Sequence, residues 1–295
     1  MGDKDKPNLI FAQNAVKEIL KRKQDHDILL CTMGNYQKGI IDSVGMLTVE
    51  SGIGYLGTCA KFRIFESYAW MHYIYGLSKQ EIGGWYDAVI PNYYDVNEFP
   101  YIEKKKDYLL YLGRIVSRKG VQTASDIAKE TGHQLYIVGQ GKLNNPDEGF
   151  DLERENHIHY MPAVGPDKRA ELLGNAKAVL MPTYYIEPFG SVAIEAQLCG
   201  TPMITTDWGA FSETVLHGVT GYRCRVLEEF CWAVKHIDQI KPSDCRKWAV
   251  NNYSMDRIGK MYEEYFERVL RLYKNGWYEK NNDRKELDWL KKYYL

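Results

Sequence analysis

Met181-Pro182-Thr183-Tyr184-Tyr185-Ile186-Glu187-Pro188-Phe189-Gly190-Ser191-Val192-Ala193-Ile194-Glu195-Ala196 is the stretch on which the fold and the chemistry of this chain both turn. It leaves an apolar run, Ala178–Met181, crosses a loop containing proline, and enters a helix predicted over 191–199. Glu187 falls in the strand-to-helix loop and Glu195 one to two turns inside the helix. Carboxylates so placed can accept hydrogen bonds from hydroxyls at two depths of one ligand, while the helix's first N–H groups favour anionic oxygen. That arrangement suits a polyhydroxylated, phosphorylated ligand. Read structurally instead, Glu195 is a buried carboxylate paired to a neighbour, and Glu187 is a charge favoured by the helix dipole.

Working outward, the spacing predicts strands over 108–112, 134–138, 157–161, 178–181 and 202–205, with helices over 121–131, 167–175 and 191–199. Strands alternating with helices of this length give a parallel sheet covered on both faces, whose ligands bind at the carboxyl ends of the strands. Upstream, a helix over 9–22 and apolar runs at 28–31, 46–49 and 86–90 make a thinner α/β pattern. Turn formers in Pro91–Pro100, followed by the charged Glu103-Lys104-Lys105-Lys106-Asp107, mark a linker. From Glu228 the chain reads as helices, including 255–272, and it ends in a charged, aromatic tail. The expected organisation is a reduced Rossmann-like domain over 1–97 and a second over 98–275, with a terminal helix over 276–295 joining the first.

Three other strand ends carry more than a turn. Gly113-Arg114-Ile115-Val116-Ser117-Arg118-Lys119-Gly120 places cations and a hydroxyl before a helix, where guanidinium and ammonium groups suit a diphosphate; the alternative is a solvated basic loop. Val138-Gly139-Gln140-Gly141 offers a glycine pair that would let a ligand approach the backbone. Thr205-Thr206-Asp207-Trp208-Gly209-Ala210-Phe211-Ser212-Glu213 adds small residues and further acid, or serves as a capped turn.

Composition sets the limits. The chain has 295 residues, 45% of them apolar and 26% charged, as in a globular protein with a sizeable core. No stretch approaches the roughly 20 apolar residues of a membrane span, and the first residues lack the apolar centre of a signal peptide, so a cytoplasmic protein is expected. The six cysteines form no C-x-x-C pair and lack a His at ligand spacing, which points to buried thiols and no metal. A net charge of -1 gives no global reason to expect a polyanionic partner.

Taken in order, Gly113-Arg114 with Lys119-Gly120, Val138-Gly139-Gln140-Gly141, Pro182-Thr183, Glu187-Pro188-Phe189-Gly190 through Glu195-Ala196, Cys199-Gly200-Thr201-Pro202 and His217-Gly218-Val219-Thr220-Gly221-Tyr222 resemble the retaining glycosyltransferases of family 4. Ile90-Pro91-Asn92, with Asp95 and Phe99, is similar to that family's inter-domain signature. The resemblance covers about 88–225 and implies a GT-B fold, two Rossmann-like domains whose parallel sheets face a cleft, here with a truncated N-terminal domain. It implies a retaining hexosyl- or pentosyltransferase that needs no metal and no cofactor beyond a nucleotide-sugar co-substrate of UDP or GDP type.

By the same resemblance, Arg114 and Lys119 neutralise the donor diphosphate, Glu187 holds hydroxyls of the transferred sugar and Glu195 holds the ribose hydroxyls. Gly113, Ser117, Gly139, Gly141 and Thr183 join the donor site, with the Phe189-Gly190-Ser191 backbone at the sugar or phosphate. Met161 and Ala163 line the base pocket within Tyr160–Val164. The chain departs from the family in its short first domain and in lacking the opening glycine-rich loop. Acceptor-side candidates are therefore Glu50, Gly52 and His72, the last of which is equally a structural residue of an aromatic helix. The acceptor is a glycan or small molecule, or else nucleic acid, for which the first domain's aromatics with Lys61, Arg63 and Lys79 supply stacking and phosphate contacts. A nucleotide-sugar binding protein without turnover is the other reading. A homodimer covering the short domain's exposed face is a further expectation.

Overall fold

The computed structural model describes residues 6–79, 83, 84 and 86–272. The expected terminal helix over 276–295 lies outside the described residues. The chain falls into two compact units: one runs to Pro91 and resumes at Gly259, and the other is Asn92–Ile258.

The first unit contains α1 (Lys6–Arg22), β1 (Ile28–Cys31), α2 (Lys38–Val44), β2 (Leu47–Ile53), β3 (Phe62–Phe65), α3 (Tyr68–Leu77) and β4 (Ala88–Val89). Its four strands pair in parallel in the order β1-β2-β3-β4. Ile53, Phe65, Trp70, Ile74 and Val89 form its buried core, with Trp70 and Ile74 projecting from α3. Ser67 starts α3 in an extended conformation, its hydroxyl accepting from the Trp70 N–H at 3.0 Å, which satisfies one of the helix's first donors. Strand β3 escapes sequence reading because Arg63 interrupts its apolar run.

The second unit contains β5 (Tyr108–Leu112), α4 (Val121–Thr131), β6 (Gln134–Val138), the hairpin of β7 (Asn144–Asn145) and β8 (Phe150–Asp151), then β9 (Ile158–Met161) and α5 (Pro166–Asn175). It continues with β10 (Ala178–Met181), α6 (Ser191–Leu198), β11 (Met203–Thr206), α7 (Phe211–Thr214), β12 (Gly221–Cys224), α8 (Leu227–His236) and α9 (Pro242–Tyr253). Helix α10 (Met255–Leu272) follows. Six parallel strands lie in the order β12-β11-β10-β5-β6-β9.

All five residues of β5 are buried, because both faces of this sheet are covered. Leu109 and Tyr111 face a layer that includes Val121, Ala124 and Ile127 of α4 and Phe230, Ala233 and Val234 of α8. Tyr108, Leu110 and Leu112 face Leu172 and Leu173 of α5 and Ala193 and Ala196 of α6. Side chains alternate across a strand, so a run buried on both faces has to be apolar throughout. The strand order reverses between β5 and β10, and in open sheets of this kind ligands bind at that crevice.

Candidate functional site

The loops after β5 and β10 are stitched together at the switch point. The Arg118 carbonyl accepts from the Tyr184 N–H at 2.8 Å and from the Thr183 hydroxyl at 3.0 Å. Thr183 is therefore fully buried as a latch between loops. This closure sets the Lys119 Nζ 2.7 Å and 3.0 Å from the two carboxylate oxygens of Glu187. Both side chains are largely shielded, at 13% and 9% exposed, and at such depth an ion pair is weakly screened by solvent. The Tyr185 ring lies beneath two cations, 4.9 Å from the Lys119 Nζ and 5.1 Å from the Arg118 guanidinium carbon. Burial, with Glu187 nearby, pushes its phenol pKa up.

Arg114 is exposed and, among the described residues, its guanidinium has no carboxylate partner. Its carbonyl accepts from the Tyr111 hydroxyl at 2.7 Å, so the backbone is fixed while the side chain is left for another use. The Ser117 N–H donates to the Glu148 carboxylate, which reaches over from the turn between β7 and β8. Nothing in the sequence pattern marks Glu148, because the two residues are brought together by tertiary folding.

Glu195 stands on α6 and is 5% exposed. Its carboxylate pairs with the Arg169 guanidinium from α5, and burial raises its pKa despite that cation. Sequence reading missed Arg169, whose role depends on two helices lying side by side. Gly190 precedes α6 with φ +77°, a conformation that an L side chain resists. A Cβ there would also come 2.6 Å from the Phe211 ring. Among the described residues no side chain caps the start of α6; the Gly190 carbonyl accepts from the Ala193 N–H at 2.8 Å. Ser191, the helix's first residue, is exposed, whereas the Phe189 side chain is buried and sits edge-on to Tyr253 at 5.9 Å.

The glycine pair after β6 packs against the protein's own backbone. Gly139 has φ +153°, and a Cβ there would lie 1.8 Å from the Gly113 carbonyl oxygen. The neighbour requiring close approach is therefore the protein's own β5 loop, which also bridges Ile115 to Gly141. The Gly139 N–H donates to the Met161 carbonyl at 3.2 Å, tying the proposed base-pocket segment to the same cluster. In that segment Ala163 is exposed, and the Tyr160 hydroxyl donates to the Gly141 carbonyl at 3.1 Å.

In the first unit the acceptor-side candidates are dispersed. Glu50, fully buried on β2, accepts from the Tyr55 hydroxyl at 3.0 Å and from the Cys59 and Ala60 N–H groups at 2.7 Å and 2.9 Å. Both of its oxygens are committed to holding the 55–60 loop. Gly52, with φ +61°, lies where the pairing of β2 with β3 shifts register between Glu50 and Ile53. His72 is exposed on α3, between the rings of Tyr68 and Tyr75. Arg63, expected as a phosphate contact, instead grips Asp87 with two bonds of 2.9 Å and 2.6 Å, and the Tyr75 hydroxyl donates to the same carboxylate at 2.5 Å. Lys61 lies over the rings of Phe62 and Tyr86. Among the described residues no helix is long and apolar enough to cross a membrane.

Comparison with known proteins bears on this geometry. Over 150 residues, 46% of this chain and 36% of the relative, the chain is 32% identical to glycogen synthase of Mycobacterium tuberculosis. Over 168 residues, 53% of this chain and 43% of the relative, it is 30% identical to the N-acetyl-alpha-D-glucosaminyl L-malate synthase of Bacillus anthracis. The chain thus spans about two fifths of the length of such curated relatives. Among solved structures it is similar to Anabaena HepE in complex with UDP and glucose, with a TM-score of 0.71 at 16% identity over 87% of this chain and 81% of that one. AviGT4, a glycosyltransferase involved in avilamycin A biosynthesis, gives a TM-score of 0.69 at 22% identity over 86% and 77%. The α/β fold with parallel sheets is the GT-B fold of these neighbours. The family model described as glycosyl transferases group 1 matches residues 96–245, just over half of the chain and nearly all of the second unit, so this chain belongs to that family.

Proposed function

We propose that the second unit binds a UDP- or GDP-sugar at the switch point between β5 and β10. The chain then transfers the sugar to a hydroxyl of a glycan or small molecule, retaining the anomeric configuration and using no metal ion. The observation that carries this reading is the Lys119–Glu187 pair, a cation and a carboxylate delivered by two different loops to one shielded point, 2.7 Å apart. A donor entering there meets an ammonium for its phosphate oxygens and a carboxylate for its sugar hydroxyls.

Arg114, free of any carboxylate partner among the described residues, adds a second cation. As the glycosidic bond to phosphate breaks, negative charge grows on the leaving diphosphate, and fixed cations at that point stabilise the transition state more than the ground state. They fill the place that a divalent ion takes in other transferases. The uncapped start of α6 contributes N–H groups to the same anion. Glu195, oriented by Arg169, accepts from the ribose hydroxyls, and the 160–164 segment borders the base. HepE, a structural neighbour crystallised with UDP and glucose, supports the choice of ligand class.

The test is nucleoside diphosphate release from a panel of UDP- and GDP-sugars, followed by NMR of the product's anomeric proton. Release from one donor, abolished in Lys119→Ala and Glu187→Ala and giving the donor's own anomeric configuration, would support the reading. The absence of both release and binding for every donor would overturn the reading, and an inverted product would remove the retaining mechanism.

A further inference from the structure

A second cavity, of about 230 Å³, opens at the carboxyl edge of the same sheet. It lies on the side covered by α4 and α8, whereas Glu195 stands on α6 in the opposite layer. Its walls include Thr123 and Asp126 of α4, Tyr184 of the β10 loop, Trp208 after β11 and Arg225 after β12, and Phe230 of α8 is its buried floor. None of these residues belongs to the proposed donor site.

The polar groups here are only partly used. One Asp126 oxygen accepts from the Gln122 amide at 2.8 Å, and the other has no partner among the described residues. The indole N–H of the half-buried Trp208 likewise has none. Arg225 donates to the Asp207 carboxylate and carbonyl at 3.3 Å through Nε and Nη2, which leaves Nη1 available. The Thr123 and Tyr184 hydroxyls bond to each other, and Tyr184 as a residue is 61% exposed.

We propose that this cavity binds one neutral pyranose ring, as a free sugar or as a residue of a glycan chain. Its volume lies below the roughly 300–1,000 Å³ of sites for drug-sized ligands, so the occupant is a single small ring. An aromatic face attracts the weakly positive C–H groups of such a ring, while a carboxylate and N–H donors pair with its hydroxyls in opposite senses. Charge gives no pull for an anion: Asp207 is shared by Arg223 and Arg225, and the Asp126 carboxylate in the cavity wall balances the cation that remains, so the cluster is close to neutral. A sugar held here would rest against Tyr184, on the loop that carries Glu187. The site does not depend on the donor reading, because its residues and its readout are separate.

The experiment is saturation-transfer NMR of the full chain with the methyl α-glycosides of glucose, galactose, mannose and N-acetylglucosamine, and with maltose. It is run on the wild type, Trp208→Ala, Asp126→Asn and Glu195→Ala. At least one sugar is expected to bind wild type and Glu195→Ala alike, with affinity about tenfold weaker in Trp208→Ala and reduced in Asp126→Asn. Binding of a methyl glycoside identifies a single ring as sufficient; binding of maltose alone identifies a residue within a chain, and both support the site. The absence of signal from every sugar overturns the proposal, as does binding unchanged in both cavity variants. Binding lost in Glu195→Ala but kept in Trp208→Ala places the sugar in the donor site and also overturns it. Asp126→Asn, a near-isosteric change, keeps the test decisive should Trp208→Ala not fold.

Discussion

Arg114 and Lys119 sit five positions apart on one loop, yet they do different work in the free protein. Lys119 is engaged by Glu187, so its removal leaves a shielded carboxylate without its cation and mixes a stability effect with any effect on ligand. Arg114 has no such tie among the described residues. Arg114→Ala should therefore change unfolding free energy by no more than about 0.5 kcal/mol, while weakening nucleotide-sugar binding by about tenfold or more. Urea unfolding and calorimetric titration on the same sample separate the two. Equal binding by the variant would remove Arg114 from the site. Arg169 works at one remove: it touches Glu195 and orients a carboxylate that would otherwise be buried alone.

Among the elements, the linker residue Lys105 shows how the site's helices are held. Its ammonium donates to the Gly174 carbonyl at the end of α5, to the Cys199 carbonyl just past α6, and to the Thr201 hydroxyl, at 2.9 Å, 3.2 Å and 2.9 Å. Burial lowers its pKa from 10.5 to about 8. The unfolded chain thus binds more protons than the folded chain between about pH 8 and 10.5, and the contribution of Lys105 to stability rises with pH across that window. The stability difference between wild type and Lys105→Met, followed by urea unfolding, should grow in that direction; a flat difference would contradict the burial. The β5 and β6 loops are packed just as closely at Gly139. Gly139→Ala should cost more than about 2 kcal/mol, because it combines a strained φ with a backbone clash. An ordinary melting temperature in that variant would mean that the loops can part.

The strands of the second unit were legible because burial on both faces leaves long apolar runs, as in Tyr108–Leu112 and Ala178–Met181. β3 and β12 were not. Each is four residues long and carries an arginine, Arg63 or Arg223, whose carboxylate partner is remote in sequence. The glutamates and cations of the β5 and β10 loops were legible as residue types at strand ends. Their partners Arg169 and Glu148, and the commitment of Glu50 to its own loop, arise from tertiary proximity that spacing does not encode.

For the whole molecule, the doubly wound sheet of the second unit supplies a switch point, and the family match falls almost entirely within that unit. A nucleotide-sugar is expected to bind there, and thermal-shift measurement over a panel of nucleotides and nucleotide-sugars is the direct test. A ligand that binds only the folded state raises its stability by an amount set by concentration and affinity. Stabilisation of wild type by one nucleotide-sugar class, absent in both Glu195→Ala and Lys119→Ala, is the expected result. No stabilisation by any member of the panel, or stabilisation undiminished in both variants, would contradict the claim.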